Sequence, residues 1–420
     1  MEPRASHSPL LRCRQVTGGE YHQRARPTIV IPVSVLIGTA LSTARDPHEG
    51  AARAAAEAAL GLGGRACDIA VVFAAGAHLR APEETLQGIH EELAPAELVG
   101  CGAGGVIGGV REVEQGTAVS VWAAALGTGE ATAFHAVIEE IEEGVGALAG
   151  MPDLEGAAGA IMLADPMTFP AEPVLQSLSG RTPTVPVLGG LASGRALDDS
   201  AILFHGDEVV DNGAVGARFD GVEILPCVSQ GATPVGPELT ITAADGHVIS
   251  ELAGRPALDK LRDTIETLPP ADLALIQGGL LMGIVIDSNK PDYVQGDFLV
   301  RGLMGADPDS GQVSVAAEVR PGQVVRLHAR DARSADRDLR EALGMRMEAL
   351  GGMPPAGALL FSCNGRGEGM FGCPDHDAEA IDQVLEGAPA AGFFAAGEIG
   401  PVGGEYFLHG FTATLAVFAR

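Results

Sequence analysis

The sequence predicts an α/β fold of two lobes with related strand-loop-helix-strand topology, in which mixed β-sheets are covered by helices. Three observations lead to this fold class: strand and helix signals alternate along the chain, the same order of segments occurs near both ends, and one glycine-rich block occurs twice. The composition fits a globular chain, because 46% of the residues are hydrophobic and 20% are charged. At 420 residues, the chain is long enough for more than one domain.

The alternation of elements is clearest in the N-terminal part. Residues 44–64 predict a helix with Asp46 as N-cap, Pro47 at the first helical position and Glu49 completing a capping-box pattern. The strand and helix signals that accompany this helix are strands at 68–74, 97–102 and 117–126 and a helix at 81–93. The order predicts a central sheet with helices packed on it.

The C-terminal part has the same order of elements. The segments are a strand at 356–362, a glycine loop, a helix at 375–387, a strand at 390–396 and a final strand at 411–418. Residues also match: a G-x4-G-x-I-G spacing is shared by Gly100, Gly105, Ile107 and Gly108 and by Gly392, Gly397, Ile399 and Gly400. We predict that the two blocks occupy equivalent strand ends in superposable halves, with residues 187–194 as a weaker third copy. The alternative is chance similarity among glycine-rich segments.

Charge and cysteine content restrict the partners and the compartment. The 55 acidic and 27 basic residues give a net charge of −28, which repels nucleic acid and anionic membranes. The six cysteines lack the dense, regular spacing of a secreted disulfide scaffold, so a cytoplasmic protein is predicted. The apolar run 28–41 is interrupted by Pro32 and is too short for a membrane span, although residues 42–44 imitate a cleavage site for export. Residues 1–28 are expected to be a disordered extension.

Several common catalytic and cofactor motifs do not fit. Gly100, Gly102 and Gly105 satisfy G-x-G-x-x-G, but the following residues do not start the helix that a dinucleotide site requires. No Walker lysine, G-x-S-x-G elbow or H-E-x-x-H pair occurs in the sequence. Cys363, Cys373 and His376 form C-x9-C-x2-H, which is not the spacing of a zinc knuckle. Neither a cofactor nor a metal is predicted.

The stretch "FSCNGRGEGMFG" (361–372) is the strongest candidate for a site. Its glycines allow the backbone to approach a small molecule, and Arg366 offers a planar fork for a carboxylate. Glu398 could accept from an ammonium group, so the two side chains would fit a zwitterion. Alternatively, Arg366 pairs with Glu368 or Glu398 and only fixes two loops. The residues predicted to bind the ligand are Cys363, Asn364, Gly365, Arg366, Gly367, Phe371, Gly397, Glu398, Cys101 and Gly102.

Cys363 has two further interpretations. A thiol at a strand end beside Arg366 could be a nucleophile, because a nearby positive charge favours the thiolate. Its partner base is not identifiable from the sequence, although His376 and His409 are candidates. The other interpretation is a small, half-buried thiol without chemistry.

The stretch at 361–372, followed by "GFFAAGEIGPVGGEYFLHGFTATLAVF", resembles the C-terminal part of FIST-domain proteins, named for F-box and intracellular signal transduction. The segments "VSVLIGTALSTARDPHEGAARAAAEA", "DIAVVFAA" and "LVGCGAGGVIGG" resemble the N-terminal part, with "VPVLGGLAS" in the middle. Residues 296–331 resemble the strand-rich approach to the C-terminal signature. We therefore predict a FIST N-like lobe at 29–230 and a FIST C-like lobe at 231–420.

The resemblance implies a sensory module that binds a small polar ligand, with amino acids as candidates. No histidine-kinase, methyl-accepting or diguanylate-cyclase pattern occurs in the chain, so the output is expected to act in trans through a separate signalling protein. No catalytic residue is implied. Two other functions stay open: a cysteine-dependent enzyme that uses Cys363, and a protein-interaction scaffold whose glycine loops close the lobes together.

Overall fold

Three α/β units with the same strand order form most of the protein, and an antiparallel module is inserted into the third unit. The computed structural model describes residues 34–142, 145–179, 185–288, 290, 292–293 and 296–420. The predicted extension at residues 1–28 lies outside the described residues. The α/β class with mixed sheets and covering helices is confirmed.

Unit 1 contains the first predicted set of elements. In chain order these are β1 (Leu36–Ser42), α1 (Pro47–Leu60), β2 (Ile69–Ala75), a 3-10 turn (Gly76–Leu79), α2 (Pro82–Leu93), β3 (Glu97–Gly102), β4 (Val106–Gly108), β5 (Arg111–Val113) and β6 (Ala118–Ala125). The N-cap of α1 is confirmed, because the Asp46 side chain accepts a hydrogen bond of 2.9 Å from the Glu49 amide. β2 and β3 are parallel, and β6 lies antiparallel between β2 and β1.

Unit 2 repeats this order around the predicted weaker copy. It consists of β7 (Glu130–Glu142), β8 (Val145–Ala149), β9 (Gly159–Ala164), α3 (Ala171–Ser179), β10 (Val187–Leu191), β11 (Leu203–His205), β12 (Glu208–Val210) and β13 (Ala214–Asp220). β9 and β10 are the parallel pair, and β13 lies antiparallel between β9 and β7. The segment 187–194, predicted as a weaker third copy, therefore belongs to a complete unit, unit 2.

Unit 3 begins at β14 (Ile224–Ser229) and resumes after the inserted module. Its later elements are α6 (Ala332–Ala349), β22 (Gly357–Cys363), α7 (Glu368–Phe371), α8 (His376–Val384), β23 (Ala390–Ala395), β24 (Glu398–Val402), β25 (Glu405–His409) and β26 (Ala413–Phe418). β22 and β23 are parallel, with β26 antiparallel between β22 and β14.

The module at 232–330 forms a separate antiparallel sheet with two helices. Its elements are β15 (Ala232–Asp245), β16 (Val248–Leu252), β17 (Arg255–Pro256), α4 (Ala257–Glu266), α5 (Pro270–Ile276), β18 (Leu280–Val285), β19 (Phe298–Asp307), β20 (Gln312–Val315) and β21 (Val324–Arg330). The strand order is β15-β21-β18-β19-β20-β16-β17. The predicted lobe boundary at 230/231 falls at the entry to this module.

Each unit donates a hairpin to the sheet of another unit. β4 of unit 1 pairs with β23 of unit 3, β11 of unit 2 pairs with β3 of unit 1, and β24 of unit 3 pairs with β10 of unit 2. The exchange is cyclic, so each sheet is completed by strands from a different unit. The predicted equivalence of the two glycine blocks agrees with this arrangement, because each block runs from a parallel strand into the donated hairpin.

The inner faces of the three sheets share one core. Phe73 of β2 stacks on Phe393 of β23 with ring centroids 4.9 Å apart, and Trp122 of β6 contacts Phe418 of β26 at 5.0 Å. Phe219 of β13 also contacts Phe418, at 5.4 Å. The outer faces are covered by helices, as the alanine-rich inner side of α1 shows. Burial of apolar surface on both faces holds the three units together.

Candidate functional site

The candidate site lies at the carboxyl end of β22, where the two other units offer a direct comparison. The register pairs Val72 with Gly100, Met162 with Gly189 and Leu360 with Gly392. Three residues after these pairs, the equivalent positions at the strand ends are Ala75, Asp165 and Cys363. The equivalent first residues of the donated hairpins are Val106, Leu203 and Glu398, because the residue after each pairs with Gly392, Gly100 and Gly189, respectively.

The same two positions carry different chemistry in each unit. Unit 1 has only apolar side chains there. In unit 2 the hairpin position is Leu203, and the strand-end residue Asp165 pairs instead with Arg195 of the loop before β11. Arg195 Nη1 lies 2.5 Å from Asp165 Oδ1, and Thr168 donates backbone and side-chain hydrogen bonds of 2.9 and 2.7 Å to Asp165 Oδ2. That pair is a satisfied structural ion pair. Unit 3 instead holds a thiol and a carboxyl group, which makes it the chemically distinct position of the three.

Cys363 and Glu398 form a buried polar pair. The Cys363 sulfur accepts from the backbone N–H groups of Phe411 at 3.2 Å and Gly365 at 3.4 Å. Glu398 Oε2 accepts from the backbone and hydroxyl of Thr412 at 3.0 and 2.7 Å. Burial raises the pKa of Glu398 to about 7, against the effect of these hydrogen bonds. Burial, followed by the charge of Glu398, also raises the pKa of the Cys363 thiol, so the thiolate is disfavoured near neutral pH.

Arg366 is buried and makes an ion pair that the sequence did not predict. Its Nε and Nη2 donate to the two carboxylate oxygens of Asp377 at 2.6 and 2.9 Å. The partner is neither Glu368 nor Glu398, the two carboxylates expected from the sequence. Burial opposes ionisation of Asp377, but Arg366 and His376 outweigh it and hold the pKa of Asp377 well below its usual range. Arg366 therefore ties the glycine loop to α8.

Arg330 is the basic side chain that faces open space next to this pair. It is half-buried, donates to the carbonyl oxygen of Gly365, and lies with its guanidinium carbon 4.5 Å from the centre of the Phe411 ring. No carboxylate within the described ranges forms an ion pair with it. Burial lowers the pKa of Arg330. A cation that is partly desolvated and lacks a carboxylate partner is suited to bind an anion.

A cavity of about 870 Å³ opens in front of Arg330, between α5, the start of α6 and the glycine loop. Ala274, Leu275 and Met370 give it apolar walls, while Arg330 and Asp331 are among its polar lining residues. Asp331 Oδ1 caps α6 by accepting from Arg333 and Ser334 amides, each at 3.1 Å. Asp331 Oδ2 is buried and accepts no hydrogen bond from any residue that the structure describes. The guanidinium of Arg330 and the carboxyl group of Asp331 thus border the same cavity.

The other predicted site residues divide into two groups. Asn364, Gly365, Gly367 and Phe371 lie in or beside the glycine loop, where the Phe371 ring stacks on His376 with centroids 3.5 Å apart. Gly367 has φ 94°, and a Cβ there would lie 2.7 Å from the Glu114 carboxyl group of the hairpin donated by unit 1. A glycine is therefore required to seat the hairpin.

Cys101, Gly102 and Gly397 lie in the core or in backbone contacts between units. Cys101 is fully buried in the shared core, and burial raises the pKa of its thiol. Gly102 packs against the carbonyl oxygen of Gly194, and Leu191 donates to the carbonyl oxygen of Gly397 at 2.8 Å. The glycine turns of the three units meet there, which is the closing role that the scaffold alternative assigned to them. Whether any of these residues contacts a ligand stays a prediction.

Sequence reasoning missed Arg330, Asp331 and Asp377. Arg330 and Asp331 end the segment 296–331, which was noted only as a strand-rich approach, and their place beside Gly365 depends on how the inserted module packs on unit 3. Asp377 stands close to the glycine loop in the chain, and its position in the first turn of α8 was a usable signal.

The described residues contain neither a candidate membrane-spanning helix nor a candidate metal site. Over the described ranges, no helix is both long and apolar enough to cross a membrane. No group of His, Cys, Asp and Glu side chains in that part of the chain is arranged to hold a metal ion. The five cysteines that the structure describes are all free thiols.

The fold and the site define an α/β protein with a cavity of about 870 Å³ between an inserted module and an interlocked three-unit body. Comparison with known families gives a match to the FIST N domain over residues 68–255 and to the FIST C domain over residues 257–401. The chain belongs to the FIST family, whose domains are sensory modules of signal transduction.

The curated relatives are similar to this chain over nearly their whole length. An uncharacterized protein of Mycobacterium tuberculosis, Rv0628c, is 41% identical over 384 residues, which cover 91% of this chain and 99% of the relative. An uncharacterized protein of Mycobacterium bovis, Mb0898c, is 40% identical over 384 residues, covering 91% and 98%. The names of these relatives state no ligand or activity.

Proposed function

We propose that this protein senses a small carboxylate-bearing metabolite in the cavity beside Arg330 and passes the signal to a separate protein in the cytoplasm. The observation that carries the proposal is Arg330 itself: a half-buried guanidinium at the wall of an 870 Å³ cavity, without a carboxylate partner in the described part of the chain. A carboxylate there would gain a charge-assisted, two-pronged hydrogen bond.

Amino acids are the first candidates for this ligand. Arg330 would take the carboxylate, and the carboxylate of Asp331, which also lines the cavity, would take the ammonium group. The apolar walls formed by Leu275 and Met370 would contact the side chain of the ligand. Arg330 and Asp331 thus take the roles that were predicted for Arg366 and Glu398. Because Asp377 occupies the fork of Arg366, a ligand could use that fork only by breaking a buried ion pair.

Signal output is proposed to involve movement of the module at 232–330. The cavity is bordered on one side by α5 of that module and on the other by the glycine loop of unit 3. A ligand that contacts both sides would favour the arrangement in which they are close, and its differential affinity would shift the population toward that arrangement. The partner protein would read this change.

The cysteine-dependent enzyme is the less favoured alternative. A nucleophilic cysteine needs a stabilised thiolate, whereas burial and Glu398 raise the pKa of Cys363. The backbone donors at its sulfur, Gly365 and Phe411, are the one feature that supports a reactive role. Consumption of a bound metabolite by the wild-type protein, lost in Cys363→Ser, would establish the enzyme and overturn a function restricted to sensing.

A thermal-shift screen of amino acids and other carboxylates tests the proposal. At 100 times its dissociation constant, a ligand adds about 2.7 kcal/mol of stability to the wild-type protein. We expect Arg330→Gln to lose most of this stabilisation, and Arg337→Gln, which removes an exposed charge of α6, to keep it. Melts without ligand separate loss of binding from loss of stability.

A second comparison tests the choice of amino acids. The wild-type protein should bind an amino acid more tightly than its deaminated analogue, and Asp331→Asn should remove this preference while it retains the helix cap. Equal stabilisation of wild type and Arg330→Gln by every ligand found would contradict the proposed site.

A further inference from the structure

A second, smaller cavity lies beside Phe411. Its volume is about 270 Å³, and it is bordered by β19, α3 and the segment that leads out of β25. Phe411 lines this cavity, while its ring also contacts Arg330. Val300, Ala316 and Leu408 contribute apolar surface.

The basic side chain of this cavity is Arg301, of which only 7% is exposed. Its Nη2 lies 3.7 Å from Glu172 Oε1, and its Nη1 donates to the carbonyl oxygen of the adjacent Val300 at 3.2 Å. A guanidinium has five N–H donors, and within the described ranges the partly exposed Glu172 is the only carboxylate that forms an ion pair with Arg301. Burial lowers the pKa of Arg301, with the opposing effect of Glu172 ranking second. Arginine nevertheless keeps its charge at neutral pH.

The neighbouring titratable groups leave Arg301 as the main determinant of anion binding. Glu172 is 49% exposed on its side chain, so it can turn toward solvent when another anion approaches. His409 is buried and contacts the Gly400 carbonyl at 3.0 Å, and burial lowers its pKa to about 3, so it is neutral. Glu398 has a smaller effect on the pKa of Arg301 than Glu172 has, and it accepts a hydrogen bond from Thr412.

We propose that this cavity is a second binding site, for a short-chain carboxylate whose oxygens replace Glu172 on Arg301. A planar carboxylate matches the guanidinium fork, and a short hydrocarbon tail matches the apolar walls formed by Val300 and Leu408. The proposal is independent of the site beside Arg330, because it depends on different side chains. Glu172 is the internal competitor of the ligand.

The test is titration of sodium propionate, with binding followed by saturation-transfer NMR and heat release at constant ionic strength. Wild type should bind propionate more tightly than the neutral isostere propionamide. Arg301→Gln should weaken propionate binding at least tenfold, whereas Glu172→Gln should strengthen it severalfold, because the competing carboxylate is removed. Arg337→Gln, on the exposed side of α6, is the matched control and should leave propionate binding unchanged. In the Arg330→Gln variant, the propionate site that responds to Glu172→Gln should persist.

Arg301→Gln and Glu172→Gln are expected to change the affinity for propionate in opposite directions, so each variant tests the site separately. If Arg301→Gln does not fold, the gain expected in Glu172→Gln still tests the site, because Glu172 is at the rim. Binding that is insensitive to Glu172→Gln, equal binding of propionamide, or loss of all binding in Arg330→Gln would overturn the second site. The last of these results would assign propionate to the larger cavity alone, and would leave the proposed sensing function intact.

Discussion

At the scale of single residues, the Arg366–Asp377 pair is the finding that changes the account most. The sequence indicated that Arg366 matters, because a guanidinium stands among glycines, but it did not indicate which group satisfies it. The partner comes from the next helix and is fixed by a two-pronged contact. A buried pair of this kind is costly to break, since removal of one partner leaves the other charge uncompensated.

Replacement of Arg366 by Lys should therefore lower stability rather than ligand affinity. An ammonium cannot reproduce the fork, so at least one charge-assisted hydrogen bond to Asp377 is lost, which costs about 1.5–3 kcal/mol. Denaturant unfolding of the ligand-free protein measures the loss, with Arg337→Lys on the exposed side of α6 as the matched control. Unchanged stability together with tenfold weaker ligand binding would instead support the direct carboxylate clamp predicted from the sequence.

At the scale of elements, one position in each unit requires glycine for the same steric reason. A Cβ would lie 2.2 Å from the Val72 carbonyl oxygen at Gly100, 1.8 Å from that of Met162 at Gly189, and 2.0 Å from that of Leu360 at Gly392. These positions allow the parallel strand to approach its neighbour closely. The first glycine of each block is thus a packing requirement repeated in three units, and it does not by itself indicate a ligand.

Substitution of Gly392 by Ala should be strongly destabilising, because the methyl group would overlap a strand carbonyl that cannot move aside. We expect a loss of about 1–3 kcal/mol or more in the free energy of unfolding. Gly369→Ala, where a Cβ has no neighbour within 4 Å, is the control and should be close to neutral. Similar stability of the two variants in chemical unfolding would contradict the close-approach explanation.

Most elements could be predicted from local patterns, and the donated hairpins could not. The strong signals, such as the Asp46 cap of α1 and the apolar run of β2, gave elements within a few residues of those observed. β4 and β5 are three residues long, and their partner is β23 in another unit. No local period encodes which distant sheet receives a hairpin, so the interlocking of the three units could not be predicted from the sequence.

At the scale of the whole molecule, the site depends on a long insertion that returns to the body. The module at 232–330 supplies Arg330 at its last strand and α5 on the far wall of the larger cavity, while unit 3 supplies the glycine loop. This packing joins residues that are far apart in the chain. The sequence therefore indicated the glycine loop but not Arg330 and Asp331 beside it. The local sequence of the inserted module does not determine where its side chains contact unit 3.

A crystal structure with the tightest ligand from the carboxylate screen would show whether Arg330 binds the carboxylate of the ligand. We expect the ligand in the larger cavity, with its carboxylate oxygens about 3 Å from the Arg330 guanidinium and the Arg366–Asp377 ion pair intact. For an amino acid, the ammonium group should lie at hydrogen-bonding distance from Asp331. A ligand bound to Arg366 with Asp377 displaced, or bound away from both arginines, would contradict the account.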